Sequence, residues 1–228
     1  MKKTTKLVIK TAAKYAARSA KKAAVKIAAD AVKENTGLTS GRKRERFSDT
    51  IVMRDMRKRD REEVLEMMRA FYSSEAVLSN GSDEIFNRDI NECISESPYA
   101  EGFVFEVRQE DEESSGDSGN PETPDVNNPG NDHTSSGKKL LGYAMIAHSF
   151  STEYGKRCIW IEDLYLKEEA RGLGLASAFL EFIRKEYPDA LHRLEAENEN
   201  GHAMEVYRHQ GFSELPYVEM VRDKQEEK

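Results

Sequence analysis

The stretch "CIWIEDLYLKEEARGLGLASAFLEFIRKEY", residues 158–187, constrains the fold more than any other part of the chain. Its first half is dense in β-branched and aromatic residues and reads as a buried strand. Its second half places Leu175, Phe179, Phe182 and Ile183 at i, i+4, i+7 and i+8, one face of a helix. Gly172 and Gly174 mark the passage between the two, with Arg171 just before them. A strand that turns through glycines into a helix belongs to an α/β layer arrangement. The helix start leaves N–H groups without partners and carries partial positive charge. Glycines lack the Cβ atoms that would hold an anion away, and Arg171 adds a charged donor. The passage is therefore either a tight turn or a cradle for a pyrophosphate.

Periodicity places the other elements around this unit. "TIVMRDM", from Thr50, reads as a strand, and "RDREEVLEMMRAFY" as a helix with Asp60 and Glu63 spaced as a capping box. "SDEIFNRDINECIS" gives a second helix with Ile85, Phe86, Ile90 and Cys93 on one face. "GFVFEVRQ" and "KKLLGYAMIAHSF" are strands, with residues 109–137 between them. That segment holds eight acids, no Lys or Arg, and much Ser, Gly, Pro and Asn, so it is expected to be a disordered hairpin loop. After the 158–187 unit come a strand in "LHRLEAENE", a helix in "GHAMEVYRHQ" capped by Gly211, and a last strand in "PYVEMVRD". The order predicts one α/β domain with a mixed, mostly antiparallel sheet flanked by helices.

Charge divides the chain in two. Residues 1–46 hold fourteen Lys/Arg and three Asp/Glu, a net of +11, while the remainder carries -18. Residues 1–37 read as a basic Ala/Lys-rich helix, strongest over 2–34, residues 38–49 as a linker, and 50–228 as the folded domain. Lys3, Lys6, Lys10, Lys14, Arg18 and Lys21 line one side of that helix. It is either a solvated helix or an arm for nucleic acid, an anionic membrane surface or the acidic body itself. No apolar run is long enough to span a bilayer, and the N-terminus lacks the apolar core of a secretory signal. Cys93 and Cys158 show neither metal-ligand nor disulfide spacing. A cytoplasmic location, with no metal, is the expectation.

The motifs narrow the function. Arg171-Gly172-Leu173-Gly174-Leu175-Ala176 resembles the R/Q-x-x-G-x-G/A acetyl-CoA motif of the GNAT superfamily of N-acetyltransferases. Asn200, Ala203, Tyr207, Gly211 and Phe212 fit its second signature, N-x-x-A-x-x-x-Y-x-x-x-G-F, at the right separation. The resemblance spans roughly residues 50–223, and the strand order matches. "IEDLYLKEEARGLG" is similar to the diamine, spermidine/spermine-type branch, where a Glu-Asp pair precedes the cofactor turn.

The resemblance implies a GNAT fold, acetyl-CoA as co-substrate, and direct transfer to a primary amine in a ternary complex. Leu164, Tyr165 and Leu166 would pair with the pantetheine arm, and amides of Arg171, Gly172, Leu173, Gly174, Leu175, Ala176 and Ser177 would bind the pyrophosphate. Asn200 would face the cofactor arm. Tyr207 would lie by the thioester sulfur and protonate the thiolate, given neighbours that lower its pKa. Glu162 is the candidate base that deprotonates the amine, with Glu195 and Glu197 as competitors. Glu162 and Asp163 are adjacent, so a regular strand would point them to opposite faces. His202 and His209 are expected to face solvent, and nothing selects His148. Trp160, Met53, Met56, Met67, Met68 and Met204 are expected in the core.

An acidic body attracts cations, so a small cationic amine or polyamine is the favoured acceptor. Protein N-termini, lysine side chains and aminoglycosides are alternatives, as is a non-catalytic acyl-CoA sensor docked through its basic arm. Polyamine-type relatives often form homodimers.

Overall fold

A computed structural model describes residues 25–26, 50–77, 81–108 and 139–222. Strand β1 is Val25–Lys26 and β2 is Thr50–Asp55. Helices α1, Arg61–Tyr72, and α2, Asp83–Ile94, follow. Next come β3, Ala100–Arg108, β4, Lys139–Ser151, and β5, Lys156–Leu166. The chain ends with α3, Leu175–Glu186, β6, Leu191–Leu194, and α4, Gly201–His209. The sheet runs β1-β2-β3-β4-β5-β6, antiparallel throughout except for the parallel pair β5/β6. That parallel pair needs a crossover, which α3 supplies. The mixed α/β sheet expected from the pattern is the one observed.

Two cores lie on the two faces of the sheet. α3 buries Leu175, Phe179, Leu180 and Ile183 against Phe103, Phe105, Ile146, Ile159 and Ile161. Phe179 meets Phe103 and Phe105 edge to face, at centroid separations of 5.7 and 6.3 Å. On the other face α1 and α2 bury Val64, Leu65, Met68, Phe86 and Ile90 against Val104, Tyr143 and Met145. Each such side chain contributes about 1.5–3 kcal/mol. Met53, Met56, Met67 and Met68 are core residues, whereas Met204 and Trp160 are only partly buried.

Four local expectations are corrected. Asp60 and Glu63 form no capping box: Asp60 accepts from the Arg54 guanidinium and the Arg57 N–H, and Glu63 from Leu140 N–H and Lys167 Nζ. Stronger charged donors claim both side chains. The strand expected in 191–199 ends at Leu194. No strand forms over the described part of "PYVEMVRD"; residues 217–222 are irregular, and Val218, Met220 and Val221 are exposed. Within the span expected as helix, Val25–Lys26 pairs along β2, whose edge offers free backbone groups to a β-branched residue. The rest of the expected helix, the linker and the acidic loop lie outside the described residues, but β3 and β4 pair as the hairpin that the loop would join.

Candidate active site

The glycine passage has the backbone that the sequence implied. Gly172 and Gly174 have φ of 74° and 76°, the left-handed region where a side chain is strained. Gly174 caps α3 without a side-chain hydrogen bond, and no acid stands in the first turn. That helix start presents its N–H groups to an anion, with no carboxylate of its own to compete. Leu173 and Leu175 anchor the passage in the core, while Arg171 stays exposed and donates from Nε to the Leu166 carbonyl at 3.1 Å. Ala176 and Ser177 are half-buried in the first turn of α3.

β5 outruns β6 at this end of the sheet. Their pairing runs from Cys158↔Leu191 to Ile161↔Leu194, and β6 ends there. β5 continues to Leu166, so the edge at Glu162–Leu166 runs past the end of its neighbour. Leu164, Tyr165 and Leu166 lie on this edge, just before the glycine passage. An extended ligand with amide groups can add itself there as a strand.

The carboxylates are arranged by a bulge. Asp163 pairs with Met145 and Ile161 with Ile146, so Glu162 is an extra residue in β5. Side-chain parity reverses across it: Ile159 and Ile161 join the α3 core before it, Leu164 and Leu166 after it. Asp163 and Tyr165 consequently turn toward α1 and α2. Glu162, the extra residue, lies near enough to Glu219 and to Asp89 of α2 for both charges to act on it. The opposite-face expectation for Glu162 and Asp163 assumed a regular strand, and the bulge removes that premise.

The acidic face has perturbed protonation. Loss of water, then Glu219 and Asp89, raises the Glu162 pKa. Burial pushes Asp163 up to about 6, against the pull of its hydrogen bonds from Tyr143 and Tyr72. Glu195 holds a proton that it donates to Glu219, and with burial and the charges of Glu219 and Glu162 this pushes its pKa up to about 7. Among the described residues, no group of three or more His, Cys, Asp or Glu could hold a metal ion.

Asn200 caps α4, its Oδ1 accepting from Ala203 N–H at 3.2 Å, so the cap uses only the oxygen of its amide. Tyr207 packs its ring on Phe212 at 6.1 Å, beside the α3 core. Burial raises its pKa, contrary to the lowering expected for it. Glu197 holds Asn200 N–H through its backbone carbonyl. His202 and His209 face solvent, and His148 bonds Glu101 at 2.6 Å in a cluster with Tyr187.

Tyr72, Asp89 and Glu219 were not singled out by their sequence spacing. Tyr72 ends the apolar pattern of α1, a position that by itself marks no chemistry. Asp89 is one acid among several on α2. Glu219 reaches the site because its segment is irregular rather than a strand.

Comparison with known proteins follows this geometry. The Acetyltransferase (GNAT) family model matches residues 93–212. The crystal structure of a possible acetyltransferase from Clostridium difficile 630 is similar with a TM-score of 0.56 at 13% identity, covering 77% of this chain and 99% of that one. AAC(6')-Iy, in complex with the bisubstrate analog CoA-S-monomethyl-acetylneamine, is similar with a TM-score of 0.52 at 13% identity and the same coverages. A transcriptional regulator from Bacillus halodurans C-125 gives 0.50 at 16% identity, covering 76% and 99%. None of the curated proteins compared matches the sequence.

Proposed function

From a chain that belongs to the GNAT acetyltransferase family, and so works with acetyl-CoA, we infer transfer of the acetyl group to a primary amine of a small cationic acceptor, of the polyamine kind. The observation that carries this reading is the bulge at Glu162. It breaks strict alternation at two adjacent carboxylates, Glu162 and Asp163, next to the edge of β5 that outruns β6. Asp89 and the proton-sharing pair Glu195 and Glu219 add negative charge there. An ammonium group is drawn to such a face, and more than one can be held at once.

The roles follow from position. The N–H groups from Arg171 to Ser177 bind the pyrophosphate, with Gly172 and Gly174 letting it approach. From there the pantetheine arm runs back along Leu166, Tyr165 and Leu164, with the amide of Asn200 toward it. That direction brings the thioester to the bulge. Backbone N–H groups displaced from the ladder at the bulge are candidates to stabilise the carbonyl oxygen as charge develops. Glu162 meets the incoming ammonium, whose proton leaves to a carboxylate of this site, directly or through an intervening group. Tyr207, kept protonated by its raised pKa, donates its hydroxyl to the departing thiolate.

The test is thiol release from acetyl-CoA with spermidine, putrescine, free lysine, an N-terminal peptide and an aminoglycoside. Saturable release with spermidine or putrescine, well above the others, is the expected result. Preference for the peptide or the aminoglycoside would replace the polyamine assignment. Tight acetyl-CoA binding without release on any acceptor would favour a sensor.

A further inference from the structure

Asp163 has no role in the scheme above, yet it is an enclosed carboxylate beside the acceptor site, at 5% exposure. Its Oδ1 accepts from the Tyr72 hydroxyl at 3.1 Å and its Oδ2 from the Tyr143 hydroxyl at 2.9 Å. Both hydrogen-bonding partners are neutral. A carboxylate taken out of water and held by neutral donors gains a proton readily. The two tyrosines differ in access. Tyr143 is fully buried under α1, while Tyr72 is half-buried at the end of α1. Tyr72 also lines a hollow of about 130 Å³ with Arg69, Asp83 and Phe86. Asp163 thus meets a fully buried phenol at Oδ2 and a half-buried one at Oδ1.

We propose that Tyr72 and Asp163 form a proton relay for the acceptor amine, Tyr72 touching the amine and Asp163 acting through it. This rests on the amine-acetylating reading. The ammonium N–H bond breaks and its proton joins the Tyr72 oxygen. The Tyr72 O–H bond breaks in turn, and that proton joins Asp163 Oδ1. The electron pair stays on nitrogen and attacks the thioester carbonyl, and Asp163 ends as a neutral carboxylic acid. Tyr143 keeps donating to Oδ2 and fixes the carboxyl plane. After product leaves, the proton returns to water through the same hydroxyl. Glu162, which stays exposed, then attracts the ammonium while Asp163 takes its proton.

The groups facing Asp163 set its titration. Tyr72 comes from α1, Tyr143 from β4, Asp89 and Cys93 from α2, and Glu162 from β5 itself. Tyr72 and Tyr143 are held above the usual phenol range by burial and by Asp163. Cys93 is pushed up to about 12, so it stays a neutral thiol. The remaining charges are carboxylates, which favour proton uptake.

The experiment compares Asp163→Asn, Tyr72→Phe and Glu162→Gln with the wild-type full-length chain, using spermidine, acetyl-CoA and thiol release across pH. In wild type, kcat/KM should rise with pH through an apparent pKa near 6, as Asp163 loses its proton. Asp163→Asn and Tyr72→Phe should each lower kcat by about a hundredfold at neutral pH. That deficit should shrink as pH approaches the amine's own pKa, where the acceptor arrives neutral. Glu162→Gln should raise KM for spermidine more than it lowers kcat. A deficit constant at every pH marks a structural role and overturns the relay. So does loss of kcat in Glu162→Gln with Asp163→Asn spared, which makes Glu162 the base. A wild type silent toward every amine overturns the parent reading and the relay with it. Carboxyl 13C titration of the wild type needs no variant: Asp163 titrating near 6 supports the relay, and titration in the ordinary aspartate range removes it.

Discussion

Tyr207 shows how one residue's environment decides its chemistry. Its hydroxyl belongs to a ring packed on Phe212, and burial holds its pKa above the usual phenol range. A raised pKa makes it a weaker acid, but it guarantees that the proton is present at neutral pH. A thiol is a stronger acid than a phenol, so full transfer runs uphill, and the Tyr207 hydroxyl helps the thiolate leave by donating to it as its charge develops. Tyr207→Phe keeps the ring and the packing, so it should lower the rate of thiol release by roughly a hundredfold. Acetyl-CoA affinity by calorimetry should stay within about twofold, because the lost interaction matters only as the thiolate forms. Equal losses in rate and affinity would instead make Tyr207 a binding residue. The candidate residues legible in the sequence, Gly172, Gly174, Asn200 and Tyr207, each carry a local signal: a turn, a cap, a motif spacing. Tyr72 carries none. Its place at the end of an apolar helical pattern is that of an ordinary core aromatic, and only the fold brings its hydroxyl to Asp163.

Among the elements, β5 is where sequence periodicity reached its limit. Its apolar content identified the strand, and the glycines after it identified the turn. A bulge leaves no such mark, because one extra residue shifts parity without changing composition. The same holds on β4, where Phe105 pairs with Gly142 and Glu106 with Leu140, leaving Leu141 as an extra residue. Only pairing with a neighbour across the sheet reveals either one. The Glu162 bulge yields a sharp prediction. Deleting Glu162 would place Ile161 and Asp163 opposite Ile146 and Met145 in an unbroken ladder, with every later side chain still on its present face. The protein should fold with its melting temperature unchanged or raised, because ladder pairing is restored and no core residue is turned outward. Turnover should be lost, because the site loses its exposed carboxylate and its displaced backbone groups. Retained turnover would show that the bulge has no part in the chemistry. The segment after α4 fell short for a related reason. Its alternating apolar residues promised a strand, but Tyr217 bonds Glu153 and Glu219 bonds Glu195, so side-chain contacts hold it beside the sheet without a ladder.

At the scale of the whole molecule, the acidic body has a cost, and one buried cation offsets part of it. Arg54 on β2 reaches Asp60 with both terminal nitrogens, at 2.7 and 2.8 Å, and Glu106 on β3 with Nε at 2.5 Å. All three side chains are buried, and together they join two strands to the start of α1. The charge segregation of the chain was plain in the sequence, but this network was not, since its members lie six and 52 residues apart. Arg59 approaches the same carboxylates from solvent, at 3.8 to 3.9 Å, and is too distant to replace the fork. Removing Arg54 leaves two carboxylates enclosed without their cation, which costs about 3–5 kcal/mol. For a domain of this size that is a fall in melting temperature of roughly 6–20 °C. Arg54→Met should show this loss in a thermal melt. Arg54→Lys should recover only part of it, because an ammonium cannot satisfy two carboxylates in fixed planes. Replacing all three residues with apolar side chains of matched volume should restore most of the stability, since no charge is then left buried. If Arg54→Met alone melts with the wild type, water or Arg59 reaches the carboxylates, and the network is not what ties β2 and β3 to α1.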